Sequence, residues 1–207
     1  MELARELYDF GAHAGSLEGY VYAWINVDPG YLPRWTENLL KEYRSLPESV
    51  LAEIQPGLDG TLGRAVRTIE PHLGETHAVI GNLKGMIKGK LPASPDDFTR
   101  RGDIPPGSYR EIYEFAANAG AFEGYVYIAE RADYKRLSPW AENLARQYQA
   151  LPDDVRERIQ ASCDMTLGRA LQSLRRFLDD EDRTIVSLKS IVKGEIPSSH
   201  HDFVNKP

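Results

Sequence analysis

Small and apolar residues recur along residues 3–27 at helical spacing. Tyr8, Gly11, Gly15, Gly19 and Tyr22 fall on one stripe, and the acid Glu18 shares it. The pattern predicts a first helix over 3–27, ended by the turn signal Asp28-Pro29-Gly30. Pro33 at a first-turn position opens a second helix over 33–45. Leu51, Ile54, Leu58, Leu62, Ala65, Ile69 and Leu73 then keep one helical phase straight through Pro56-Gly57. This predicts one long third helix, kinked at Pro56, with a break into two helices as the alternative. Thr76, Ile80, Leu83 and Ile87 mark a fourth helix over 75–88. Lys88-Gly89 is its expected stop: a cation at the negative end, then glycine in a left-handed cap.

The whole pattern then returns. Tyr8–Tyr22 reappears as Tyr113–Tyr127, a shift of 105 (113 − 8), and residues 7–98 align with 112–203 without a gap. In the second pass Ser138-Pro139 reads as an N-cap followed by proline at the first helical position. Ala161-Ser162 replace Pro56-Gly57, and Asp133-Tyr134-Lys135 replace the Asp28 turn. Lys193-Gly194-Glu195-Ile196-Pro197 repeats the helix stop. No segment reads as a strand. The prediction is an all-α protein: an internal tandem duplication of a four-helix up-down-up-down bundle, the two copies related by a pseudo-twofold axis. Its units are residues 1–98 and 109–207, joined by a polar linker over 99–108. Phe98 and Phe203 are each placed to fold back onto their own bundle.

The glycine row changes this picture. Each glycine inside a helix costs about 1 kcal/mol against alanine. Gly11, Gly15 and Gly19 lie four apart, as do Ala116, Gly120 and Gly124. Two readings offset that cost: a close helix–helix crossing, or a ligand against bare backbone.

Charge narrows the partners. The chain carries −6 overall, −4 over residues 1–103 and −2 over the rest. Neither half is basic, which argues against nucleic acid, since phosphate binding needs a cationic face. No apolar run approaches the roughly 20 residues of a membrane span. The opening MELARELYDF has no secretory pattern, and the one cysteine, Cys163, allows no internal disulfide. These features point to the cytoplasm. Cys163 stands where the first copy has Leu58 and reads as core.

The candidate chemistry lies in polar residues that both copies keep. With about 1.5 Å rise per residue, Glu18, Trp35 and Arg64 fall at one level of an up-down bundle. Tyr22, Asn38 and Thr61 lie within a turn of them. The second copy has Glu123, Tyr127, Trp140, Asn143, Thr166 and Arg169 in the same relation. An acid turned into a bundle needs a partner, because an unpaired buried charge is costly. Arg64 is the partner expected for Glu18, and Arg169 for Glu123. Each set reads either as a satisfied core network or as the lining of a pocket between helices.

No metal or cofactor motif is present. The pairs Glu70/His72 and Glu75/His77 diverge by about 200° on a helix, a poor clamp. Neither Glu-x-x-His nor His-x-x-x-His occurs. Lys84 and Lys88 read as a solvated helix end, with an anion clamp as the alternative. Three functions remain open. The first is a non-enzymatic interaction protein with paired docking surfaces for another protein. The second is a small-molecule binder or sensor using one or both clusters. The third is an enzyme with Glu18 or Glu123 as acid or base.

Overall fold

The computed structural model describes residues 2–22, 24–99, 102–128 and 134–195. These form eight α-helices and no strand: α1 (Glu2–Tyr22), α2 (Leu32–Ser45), α3 (Glu48–Leu73), α4 (Ala78–Met86), α5 (Tyr109–Ile128), α6 (Tyr134–Ala150), α7 (Asp153–Leu174) and α8 (Arg183–Ile191). The fold is all-helical, as the periodicity predicts. The features anticipated at Ile196-Pro197 and Phe203, and Asp133 of the second turn, lie outside the described residues.

Several boundaries differ from the sequence prediction, each for a local reason. α1 stops at Tyr22, and Trp24–Asn26 wind into a 3-10 turn instead of continuing to residue 27. Asp28, ahead of a proline, is forced out of the helical region to φ −85° and ψ 105°. Its carboxylate then caps the next turn by accepting from Gly30 N at 2.9 Å. α3 runs unbroken from Glu48 to Leu73 with Pro56 and Pro71 inside it, so the break into two helices does not occur. α6 begins at Tyr134, and Pro139 lies within it rather than at its first position. A proline there deletes one ladder bond and leaves the helix running.

α4 is shorter than predicted, 78–86 rather than 75–88. The His77 ring caps it by accepting from Val79 N at 3.2 Å. At the other end Ile87 turns extended, and Gly89 is not a left-handed cap. The chain is caught instead by a carboxylate on α3: Lys88 N donates to Asp59 Oδ1 at 2.9 Å. The same capture recurs where Lys193 N donates to Asp164 Oδ1 at 2.8 Å. Gln55 and Gln160 brace these ends through the carbonyls of Met86 and Ile191, at 2.9 and 3.0 Å.

The most extensive helix pairing joins α1 to α5, one helix from each half. A Cβ placed on Gly15 would stand 1.9 Å from the Ala117 carbonyl oxygen, and one on Gly120 2.1 Å from that of Ala12. No side chain fits there, so the glycine row serves a backbone crossing. α5 also packs on α3, and α1 on α7. One hydrophobic cluster therefore runs through both halves, from Leu7 and Phe10 to Phe115 and Phe122, closed by Leu83 and Leu188. Each such side chain contributes about 1.5–3 kcal/mol on burial.

Candidate functional site

The crossing fixes the direction of Glu18, the residue before Gly19. It meets Arg64 on α3, whose Nε donates to Glu18 Oε1 at 2.6 Å and whose Nη2 donates to Oε2 at 3.1 Å. This is the two-bond arrangement a guanidinium offers a carboxylate. Arg64 Nη1 reaches the Asp97 carbonyl at 3.4 Å, and the guanidinium carbon lies 4.8 Å from the Phe98 ring centre. Burial holds the Glu18 carboxyl above its ordinary range, while Arg64 pulls it back. Burial lowers Arg64, but Glu18 more than offsets that and leaves the guanidinium raised.

This pair opens into a cavity of about 840 Å³. That is ample for a small organic molecule, since such sites occupy roughly 300–1,000 Å³. One wall comes from α1 and α3: Gly19, Tyr22, Gly57, Gly60 and Thr61 stand beside Glu18 and Arg64. The other comes from α5 and α6: Asn118, Ala121, Tyr125, Trp140, Asn143 and Gln147. Phe98 at the end of the first half, with Thr99 and Ile104 from the segment that follows it, completes the lining together with Glu111, Glu114 and Arg136.

The α5–α6 wall carries an amide network. Trp140 Nε1 donates to Asn118 Oδ1 at 2.7 Å, and Asn118 Nδ2 donates to Gln147 Oε1 at 2.8 Å. The Trp140 ring stands edge-on to Phe122 at 5.2 Å and tilted to Tyr125 at 6.0 Å. Tyr22 is held by donating to Asp96 Oδ1 at 2.6 Å, and its ring meets Tyr125 at 6.0 Å.

The second cluster is built differently. Arg169 Nε donates to Glu123 Oε1, and Ser16 Oγ donates to Glu123 Oε2 at 3.1 Å. These side chains are 7% and 2% exposed, against 15% and 9% for Arg64 and Glu18. Thr166 is buried beside them on α7. Trp35 and Tyr127 both flank Tyr20, at 5.6 and 6.3 Å, and Asn38 is half-buried on α2. Six of the twelve sequence candidates thus line one cavity: Glu18, Tyr22, Thr61, Arg64, Trp140 and Asn143. Trp35 and Asn38, placed at the Glu18 level by the bundle argument, are not among its walls; their counterparts from the other half are.

Around the cavity, the Tyr113 hydroxyl is buried beside Thr61 without a hydrogen bond of ordinary geometry, and burial drives its pKa far up. Tyr8 stands likewise beside Cys163 and Thr166. Burial pushes the Cys163 thiol up to about 12, which makes it a poor nucleophile. Lys84 is no anion clamp: it pairs with Glu70 at 2.6 Å and Glu75 at 3.4 Å. Among the described residues no three His, Cys, Asp or Glu side chains converge as a metal site would need.

Sequence reasoning missed Asn118, Gln147, Gly57 and Gly60. Their counterparts are His13, Glu42, Ser162 and Met165, so a search for residues common to both halves passes over them. The signal was in the mismatch. No family model matches this chain, and no curated protein or solved structure is significantly similar to it.

Proposed function

We propose that this protein binds a small organic molecule in the cavity between α1/α3 and α5/α6. The observation that carries the reading is the cavity itself: about 840 Å³ reaching a bidentate Glu18–Arg64 pair and an amide-bearing aromatic wall. In this reading the chain is two copies of a four-helix up-down-up-down module, residues 1–98 and 109–207, related by a pseudo-twofold axis and joined by the 99–108 linker. The site then belongs to neither copy alone. That supports binding over paired docking surfaces, which would sit on the outside of each copy. Both Glu18 oxygens accept from Arg64, which supports a positioning role for this carboxylate rather than acid–base catalysis.

Native mass spectrometry of protein taken from its own cells tests this. The expected result is a small-molecule adduct on the wild type that Asn143→Trp, which fills the cavity from α6, abolishes. A bare wild-type mass, or an adduct that survives in the filled variant, contradicts the reading.

A further inference from the structure

Resting on that binding role, we propose that the cavity takes an uncharged planar nitrogen heterocycle of the nucleobase type, its edge read by the Asn143 and Gln147 amides. Charge comes first. Three carboxylates line the cavity, Glu18, Glu111 and Glu114. Glu18 is spent on Arg64, Glu114 faces Arg110 at 3.4 Å, and Glu111 accepts from Gly107 N at 2.6 Å. Arg64 and Arg136 line it as well, and Arg110, outside the lining, pairs with Glu114, so the charges at the site number three of each sign. A charged ligand finds no surplus countercharge, and stripping its water would go uncompensated.

The groups left to spend are neutral. Asn143 makes no hydrogen bond among the described residues. Gln147 uses its oxygen on Asn118 and keeps its NH₂ group for another partner. They sit one turn apart on α6, beside Trp140. A carboxamide offers a donor and an acceptor side by side, the pattern that pairs with adjacent donor and acceptor atoms on a base edge. Trp140 and Tyr125 supply aromatic surface beside them, while on α3 Gly57 and Gly60 let the Glu114 carboxylate and the Arg64 guanidinium lie close, at 2.7 and 3.2 Å from where a Cβ would stand. An aromatic wall with amides beside it suits a flat ring with polar edge atoms.

The test uses the full chain and calorimetric titration. The probes are adenine, guanine and uracil with their nucleosides, against benzoate and benzylamine as charged single-ring controls. At least one heterocycle is expected to bind saturably. Asn143→Ala and Gln147→Ala are each expected to weaken it about three- to tenfold, the loss of one hydrogen bond. Asn38→Ala is expected to leave it unchanged. If no heterocycle binds, or if binding ignores both amide variants, the proposal is overturned. Should benzoate or benzylamine bind instead and Asn143→Trp block it, the cavity's binding role stands and only the heterocycle assignment falls.

Discussion

Two Glu–Arg pairs occupy matching positions 105 residues apart, and their surroundings diverge (123 − 18 = 105). Glu123 takes a hydroxyl bond from Ser16 besides its arginine, while the counterpart of Ser16 beside Glu18 is Ala121, which has no polar atom to give. Ser162 and Met165 stand where the cavity has Gly57 and Gly60. His13 and Glu42 form at 2.8 Å the bond that Asn118 and Gln147 form with neutral groups. The comparison teaches that an ion pair is not a site by its chemistry alone. Where the remaining valences are filled and the side chains sealed, it fastens helices together. Where the neighbours shrink to glycine and alanine, the same pair becomes part of a wall.

The largest effect should come from breaking the sealed pair. Arg169→Met leaves Glu123 buried and uncompensated and should cost about 3–5 kcal/mol in urea unfolding. Arg64→Met should cost about 2 kcal/mol, because water in the cavity can solvate Glu18. Equal losses would erase the distinction between the two pairs. The crossing beneath both comes next: Gly15→Ala should destabilise by about 3 kcal/mol, since its Cβ would meet backbone that cannot yield. Gly81→Ala, with open space at its Cβ, should instead gain up to about 1 kcal/mol and serves as the control.

Ser16→Ala should cost about 1 kcal/mol, the bond to Glu123. The converse change, Ala121→Ser, should make the open pair resemble the sealed one and reduce small-molecule binding in the same titration. The smallest effect is on pH. Burial raises the folded-state pKa of Glu18, so the folded chain holds that proton more tightly than the unfolded chain does. Its stability contribution is present below the unfolded carboxylate value and lost as pH rises through the folded one. Relative to Glu18→Gln, the wild type should therefore gain melting temperature as pH falls from about 7 toward about 4. A difference that stays flat, or runs the other way, would show that Arg64 outweighs burial.

The helices were legible because each must hide an apolar stripe, and Leu51 to Leu73 keep theirs even across a proline. The two acid–base pairs were legible for a related reason: Glu18 and Glu123 lie on the glycine stripe, and an inward carboxylate demands a cation. Which half supplies each wall was not. Periodicity tells how a helix faces its core but not that α1 crosses α5, and that crossing brings Trp140 and Asn143, rather than Trp35 and Asn38, to the Glu18 cavity. Asn118 and Gln147 are hidden from the repeat because the first half has His13 and Glu42 at those positions, and the site depends on what the halves do not share.

The most direct test watches two of the three tryptophans at once. In an amide proton–nitrogen NMR spectrum the indole N–H groups of Trp140 and Trp35 report the cavity and its counterpart separately. On titration with a small-molecule extract of the protein's own cells, the Trp140 signal should shift saturably while Trp35 stays in place. If Trp35 alone moves, if the two move together, or if neither moves, the account is contradicted.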